Sequence, residues 1–222
     1  MNTPYTTLIS AQQLQALITC GQALMVFDCS FDLAKPEAGE AQFTEAHLPG
    51  SVYVHLDRDL SDKSGNGQAA SGGRHPLPSR EPFAAWLNRV GFASGMQAVV
   101  LDRQGANYCG RLWWMLKWCG HEAVAVLDGG LQAWQATGGE VVSGASPAPL
   151  APGAFTLGEP LVPVVDAQAL FRRLGQPGQT VLDARGAPRF RGEVEPLDPV
   201  AGHIPGALNR PFTENIGADG HF

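Results

Sequence analysis

The chain contains the same histidine-led turn twice, as His47-Leu48-Pro49-Gly50 and as His203-Ile204-Pro205-Gly206. A short apolar run that ends in an aspartate precedes each copy. Asp28 closes the first run and Asp183 closes the second, and the spacing from aspartate to histidine is nearly the same in both. A helical pattern of leucines precedes each run. This order predicts an internal repeat, with each turn leading from one buried strand to the next.

The segments around the first turn alternate between helix and strand signals. Apolar runs predict strands over residues 23–27, 51–54, 98–101 and 123–127, and amphipathic spacing predicts helices over 11–20, 81–90, 108–118 and 131–136. A Gly/Ser-rich loop is expected at 61–79. Strands separated by helices of this length form mostly parallel sheets covered on both faces. The predicted fold class is therefore α/β.

The composition changes after residue 143. Residues 144–163 are rich in Pro, Gly and Ala, with Pro147 and Pro149 among them, which predicts a linker. We therefore expect an N-terminal domain over 1–143 and the first part of a second domain over 164–222. Because that second part is short, we do not expect it to bury its apolar faces alone.

The charge balance restricts the class of partner. The 222 residues include 15 Lys+Arg and 21 Asp+Glu, a net charge of −6, and 44% are hydrophobic. An acidic chain without a basic run is not typical of nucleic-acid or anionic-membrane binding. No apolar stretch is long enough for a membrane span, and the first residues do not resemble a secretory signal. A cytoplasmic protein is expected.

The four cysteines give no metal-binding or disulfide pattern. No pair has C-x-x-C spacing, and Cys119 with His121 is a lone pair rather than a zinc motif. We expect Cys20, Cys29, Cys109 and Cys119 to be packed thiols in a reducing compartment, without a metal.

Four motifs together resemble the rhodanese family of sulfurtransferases, in the tandem form shared by thiosulfate and 3-mercaptopyruvate sulfurtransferases. They are Glu45-Ala46-His47-Leu48-Pro49-Gly50, Arg111-Leu112-Trp113-Trp114, Leu127-Asp128-Gly129-Gly130-Leu131-Gln132-Ala133-Trp134 and Gly202-His203-Ile204-Pro205-Gly206-Ala207-Leu208-Asn209.

The resemblance implies two tandem rhodanese-like domains, of which the N-terminal one is inert. The C-terminal domain would carry a nucleophilic cysteine in a loop between a strand and a helix, where backbone N–H groups lower its pKa. That thiolate would take sulfur from a small anionic donor, thiosulfate or 3-mercaptopyruvate, as a persulfide. It would then pass the sulfur to cyanide or a thiol, with no cofactor.

No cysteine of this chain matches the catalytic position. Asp102 follows the strand at 98–101, where an active member has its cysteine, and a carboxylate cannot carry sulfur. The catalytic cysteine is therefore expected beyond Phe222, either on a longer polypeptide or on a companion C-terminal fragment. If the chain ends at Phe222, the alternative is a non-catalytic binding or regulatory module. A rhodanese-related phosphatase would also need a cysteine loop, and the tandem motifs argue against it.

The resemblance also implies substrate-side residues. Arg189 matches the arginine that binds the anionic donor, because a guanidinium suits both donors. Arg185 is expected to pair within its own domain. Members selective for mercaptopyruvate carry a second arginine near Leu197, so thiosulfate is the preferred donor here. Asp57 and His75 match an Asp and a His that the N-terminal domain presents to the catalytic loop, where they would assist proton transfer. A capped turn at Asp57 and a flexible loop at His75 are the structural alternatives.

Three further motifs are assigned to structure. His47 and His203 are expected to make hydrogen bonds at their turns. Gly129-Gly130 is interpreted as a loop-to-helix junction rather than a phosphate loop. The tryptophans Trp113, Trp114 and Trp118 are expected in the domain core.

Overall fold

The computed structural model describes residues 3–146, 148 and 151–222. The chain forms two compact units, Met1–Pro163 and Val164–Phe222. Within the described ranges, no helix is long and apolar enough to cross a membrane.

The first unit is built on a five-stranded sheet in which every pair of neighbouring strands is parallel. The strands are β1 (Leu8–Ile9), β2 (Leu24–Asp28), β3 (Val52–Tyr53), β4 (Gln97–Leu101) and β5 (Val124–Leu127), in the order β1-β5-β4-β2-β3. Every residue of β4 and β5 is buried, as expected for central parallel strands with both faces covered.

Five helices accompany these strands: α1 (Ala11–Thr19), α2 (Ala38–Glu45), α3 (Arg80–Arg89) and α4 (Cys109–Trp118) lie between strands, and α5 (Gly130–Ala136) follows β5. The first helix begins where the sequence predicts it. The Ser10 hydroxyl accepts the N–H of Gln13, and the Gln13 side chain accepts the N–H of Ser10, which satisfies two donors that the helix leaves free. The α/β prediction is confirmed.

The core lies on both faces of the sheet, and the alternation along β4 shows why. Ala98 and Val100 pack into one cluster with Phe27, whereas Val99 and Leu101 pack into the other. Since successive side chains of a strand point to opposite faces, one apolar run supplies both layers. Helices α3 and α4 cover the first face, and α1 and α5 cover the second.

Two elements of the first unit were not predicted. Strand β1 has only two residues, which is too short for a periodicity signal. Helix α2 is mostly polar, and its buried residues are Gly39 and Phe43. Gly39 lies so close to the Ser30 carbonyl that an added Cβ would be 1.9 Å from that oxygen.

The expected linker at 144–163 differs from the observed chain path. Pro147 and Pro149 lie outside the described residues. Further along, the Gly153 N–H donates to the Asn88 carbonyl at 2.7 Å, Phe155 is 5% exposed, and the Gly158 N–H donates to the Cys119 carbonyl at 3.0 Å. This part of the segment therefore packs on the first unit as a strap, because Phe155 supplies an apolar anchor that the composition obscures.

The second unit contains α6 (Ala167–Arg173), β6 (Leu182–Asp183), α7 (Ala187–Phe190), β7 (Leu208–Asn209) and a 3-10 helix at Phe212–Asn215. Strands β6 and β7 pair in parallel. Several apolar side chains of this unit are exposed, including Phe171 at 76%, Leu182 at 65% and Leu208 at 58%. In the part of the unit that the structure describes, the buried residues are Ala207 and Pro211.

Candidate functional site

Acidic side chains lie where neighbouring strands of the first unit end. Strand β2 ends at Asp28, which pairs with Leu101 of β4, and Asp102 follows directly. Because parallel strands end at the same edge, the two carboxylates belong to one edge of the sheet. In open parallel sheets this carboxyl edge is where ligands bind.

The loop after β4 is folded around the Asp102 carboxylate. Oδ1 accepts the N–H groups of Gln104 at 2.8 Å and Ala106 at 2.9 Å. Oδ2 accepts those of Tyr108 at 2.7 Å and Cys109 at 2.9 Å, at the start of α4. Asp102 is 4% exposed. The side chain in the expected cysteine position thus fills a cradle of four backbone donors, of the type that binds anions.

The backbone of this cradle is unusual. Gly105 has φ 68° and Ala106 has φ 60°, and Ala106 is the one described non-glycine residue with positive φ. Gly130 approaches the loop so closely that a Cβ would lie 2.8 Å from the Asp102 carbonyl oxygen. The predicted junction at Gly129 and Gly130 is confirmed, since both have positive φ at the start of α5.

An arginine joins the cradle to β2. Arg103 Nη2 lies 3.3 Å from Asp28 Oδ2, and the same atom donates to the Ala46 carbonyl. The other Asp28 oxygen accepts the Ser30 N–H at 2.9 Å. Asp28 is 1% exposed, so this buried carboxylate is paired and hydrogen-bonded as stability requires.

Three of the four cysteines are packed as predicted. Cys29, Cys109 and Cys119 are buried. Desolvation raises the pKa of Cys29 and Cys109 well above its usual value, and nearby carboxylates raise it further, so both stay protonated thiols. The prediction for Cys20 is wrong: it is exposed at the C-terminal end of α1, on the side where β2 begins rather than ends.

Asp57 and His75 are brought together. His75 Nδ1 lies 2.7 Å from Asp57 Oδ1, and Lys63 Nζ lies 2.6 Å from the same oxygen. Because an ionised carboxylate only accepts hydrogen bonds, His75 Nδ1 carries a proton. The other ring nitrogen, Nε2, is buried and has no hydrogen-bond partner among the described residues.

Both pKa values in this pair are lowered. Partial burial acts to raise the pKa of Asp57, but hydrogen bonds from Lys63 and His75 overcome it. For His75, burial lowers the pKa, Asp57 opposes this, and the charges of Lys63 and Arg111 add to the lowering. At neutral pH the result is a neutral imidazole with Nε2 as the acceptor.

The loop that carries His75 is anchored rather than free. Arg111, on α4, donates from Nη2 to the carbonyls of Leu60 at 2.8 Å and His75 at 2.9 Å. The Phe31 ring meets the His75 ring edge-on, with centroids 6.5 Å apart. A half-buried guanidinium therefore holds Leu60 and His75, on either side of most of the Gly/Ser-rich loop.

The sequence analysis did not identify Lys63 and Arg111 as parts of this site. Lys63 lies in a polar loop where no pattern distinguishes it. Arg111 belongs to a motif quoted above, and the signal that marks it is a single charge at the start of an otherwise apolar helix face.

In the second unit, Arg189 is held by carboxylates. Its guanidinium bonds Glu195 at 2.7 Å and Asp198 at 3.0 Å. Arg185 pairs with Asp183 at 2.6 Å, as predicted, and donates to the Gly202 carbonyl. Glu195 is also 3.5 Å from Arg185, so one carboxylate serves both arginines.

Leu197 and Asp198 follow Glu195 in the sequence, and neither of them supplies a second cation beside Arg189. Leu197 is 43% exposed, and its backbone N–H donates to Glu195 at 3.0 Å. Asp198 likewise donates its backbone N–H to that carboxylate. The loop therefore turns around Glu195.

The histidines of the repeated turns have matching contacts. His47 stacks on Phe43 at 3.8 Å and bonds its carbonyl through Nδ1 at 2.7 Å; His203 stacks on Phe190 at 3.7 Å and bonds that carbonyl at 2.6 Å. Each ring thus bonds the helix before its turn rather than the turn itself. The tryptophans Trp113, Trp114 and Trp118 contact the core, as predicted. In the ranges that the structure describes, no three His, Cys, Asp or Glu residues form a metal site.

Comparison with known proteins identifies the fold. The sequence profile of the Rhodanese-like domain matches residues 10–137. The chain belongs to the rhodanese family. A probable 3-mercaptopyruvate sulfurtransferase of Pseudomonas aeruginosa is 45% identical over 217 residues, which cover 97% of this chain and 74% of that protein. A putative thiosulfate sulfurtransferase of Mycobacterium tuberculosis is 38% identical over 215 residues, with 97% and 74% coverage.

Solved structures agree with this rhodanese assignment. The 3-mercaptopyruvate sulfotransferase SseA from Escherichia coli superposes with a TM-score of 0.78 at 29% identity, over 96% of this chain and 78% of that chain. The 3-mercaptopyruvate sulfurtransferase from Leishmania major gives 0.77 at 27% identity, over 97% of this chain. The chain spans 57% of the length of the Leishmania protein.

Proposed function

We propose that this rhodanese-family chain is part of a sulfurtransferase that moves a sulfane sulfur from a small anionic donor, through a cysteine persulfide, to cyanide or a thiol. The first unit supplies Asp57 and His75, and the second unit begins the domain that carries the nucleophile. The relatives from Pseudomonas aeruginosa and Mycobacterium tuberculosis are both named as sulfurtransferases, which supports this proposal.

The nucleophile is assigned to a residue downstream of Phe222, on the same polypeptide or on a companion fragment. Three observations support this. The cradle after β4 holds Asp102, the three buried cysteines have pKa values that disfavour a thiolate, and Cys20 lies away from the carboxyl edge.

The local geometry of the second unit supports its assignment as a second rhodanese-like domain. In the first unit Phe27 pairs with Val52, and in the second Leu182 pairs with Leu208, each pair followed directly by an aspartate-containing pair. Strand β2 pairs with β4 on its other edge, and the cradle loop follows β4. We expect the equivalent edge of β6 to accept a strand followed by the cysteine loop.

The observation that carries the donor assignment is the His75–Asp57 contact of 2.7 Å, with Nε2 left as an acceptor. A thiol donor such as 3-mercaptopyruvate loses its thiol proton when its C–S bond breaks, and the pyruvate that leaves gains a proton on carbon. A neutral imidazole can hold that proton in between. Thiosulfate has no such proton. When its S–S bond breaks, the sulfane sulfur passes to the cysteine and sulfite leaves without needing a proton. The dyad therefore favours a thiol donor.

Thiosulfate is the second candidate, and a different residue favours it. Leu197 stands where selective mercaptopyruvate enzymes have a second arginine, which leaves Arg189 as the donor-binding cation. An anionic donor would compete with Asp198 for Arg189, since the Asp198 side chain is 48% exposed and lies 3.0 Å from the guanidinium. We assign the protein to the cytoplasm, because that reducing compartment keeps its four free thiols reduced.

The test compares this chain with a polypeptide extended through the downstream reading frame. Pyruvate release from 3-mercaptopyruvate and thiocyanate formation from thiosulfate and cyanide are measured for both. We expect no turnover by the chain alone and turnover by the extended protein. In the extended protein, H75Q should lower kcat with mercaptopyruvate about 100-fold and leave thiosulfate turnover within a few fold. Lack of turnover with either donor would favour the binding-module alternative.

A further inference from the structure

The Asp57 carboxylate has a second partner that belongs to neither the predicted dyad nor the core. Lys63 Nζ and His75 Nδ1 both contact the same oxygen, Asp57 Oδ1, at 2.6 Å and 2.7 Å. The Lys63 side chain is 44% exposed, whereas those of Asp57 and His75 are 23% and 19% exposed. Lys63 is thus the most exposed member of the three, and its ammonium shares one carboxylate oxygen with the imidazole.

The charges around His75 are those of one anion and two cations. Asp57 faces its Nδ1, Lys63 shares the Asp57 oxygen, and Arg111 donates to the His75 carbonyl. The remaining neighbour described on the ring is Phe31, which is apolar. Protonation of Nε2 would place an N–H where no described acceptor lies, and the imidazolium charge would be repelled by Lys63 and Arg111. These surroundings penalise the imidazolium form.

We propose that Lys63 is a positioning residue that keeps Asp57 ionised and holds His75 as the neutral tautomer with the proton on Nδ1. By taking part of the Asp57 charge, the ammonium prevents that carboxylate from stabilising an imidazolium. Nε2 then stays free to accept a proton at physiological pH. The catalytic meaning of this role rests on the proposed function, but the role itself belongs to the chain and can be measured without turnover.

The first test reads His75 directly by NMR in the isolated chain. The two ring 15N shifts identify the tautomer, and H75Q assigns the signals among the six histidines. We expect a protonated Nδ1 and an unprotonated Nε2 at pH 7.5. The opposite tautomer, or an imidazolium at that pH, would overturn the proposal.

The second test titrates His75 in three variants. In K63Q the His75 pKa should move upward, because a nearby cation is lost, while in K63R it should stay near the wild-type value. K35Q, which removes an exposed lysine elsewhere, is the matched control and should also leave the His75 pKa unchanged. A His75 titration in K63Q that matches the wild type would refute the role of Lys63.

The catalytic arm uses the extended protein with 3-mercaptopyruvate. K63Q should shift the acidic limb of kcat/KM to higher pH, and K63R should restore it. If the NMR shift occurs but the extended protein transfers no sulfur, the proposed function fails and the Lys63 role stands. If sulfur is transferred and the acidic limb does not move in K63Q, the role in catalysis is refuted and the proposed function stands.

Discussion

The β2–β3 region of the first unit and the β6–β7 region of the second have matching hydrogen bonds and opposite burial. The Val54 N–H donates to the Asp28 carbonyl at 2.8 Å, and the Arg210 N–H donates to the Asp183 carbonyl at 3.0 Å. Phe27 is fully buried, whereas Leu182, at the corresponding position, is 65% exposed.

The difference separates what a local segment determines from what its neighbours add. The turn, the stacked histidine and the strand register form in both regions from nearby residues alone. Burial in the first unit needs β4, which pairs with β2 along its second edge, and the helices that cover both faces of the sheet. Most of the free energy of folding therefore lies in contacts that the repeated motif does not itself encode.

The largest expected effect comes from truncating the two corresponding strand residues, Phe27 and Leu182, to alanine. Phe27→Ala should lower the free energy of unfolding of the first unit by about 3–5 kcal/mol, because it removes a ring that packs against Trp86 and Phe92. Leu182→Ala should cost roughly 0.5 kcal/mol or less, since most of its side chain is already in water.

Urea unfolding followed by tryptophan fluorescence measures the first variant, because all five tryptophans lie in the first unit. Exchange of the Leu208 amide, which donates to the Val181 carbonyl at 2.9 Å, measures the second. A loss of protection in the Leu182 variant as large as the loss from Phe27→Ala would break the comparison.

The second-largest expected effect on the free energy of unfolding compares Asp102 and Asp62, two aspartates that accept backbone hydrogen bonds in turns of different burial. Asp102→Ala should destabilise the first unit by about 2–4 kcal/mol, because four backbone N–H groups in buried or part-buried positions lose their acceptor. Asp102→Asn should cost less, since the amide oxygen still accepts. Asp62→Ala is the control, because the Asp62 carboxylate accepts an exposed hydrogen bond from the Ser64 N–H, and it should stay within about 0.5 kcal/mol. Equal losses for Asp102→Ala and Asp62→Ala in urea unfolding would contradict this account.

The smallest effect compares the two stacked histidines. His47→Ala should cost about 2 kcal/mol, because both His47 and Phe43 are buried. His203→Ala, on an exposed ring, should cost about 0.5 kcal/mol, read from amide exchange of Ala207, whose N–H donates to the Ile204 carbonyl. Similar costs would mean that stacking itself, rather than burial, stabilises these turns.

Sequence patterns were sufficient for the long and strongly apolar elements. The runs at β2, β4 and β5, the start of helix α1 and the repeated turn all carry local signals that survive in the structure. Strand β1 and helix α2 have no such signal, because one is held by pairing with β5 and the other by the packing of Gly39 and Phe43.

The site was predictable only in part. Asp57 and His75 were predicted through the family resemblance, and the structure shows that the two side chains are in contact. Lys63 and Arg111 act across a long loop, and their partners are carbonyl and carboxylate oxygens that the fold brings near. No spacing rule on the chain encodes such contacts.

The filled cradle has a consequence for ligand linkage. An anion stabilises a protein only through a site that is empty in the folded state and absent in the unfolded one. Here the site after β4 is saturated in cis by the Asp102 carboxylate, at any concentration of anion in solution. Its occupancy does not depend on the supply of sulfur donor, so donor starvation leaves this loop of the first unit as stable as donor excess does.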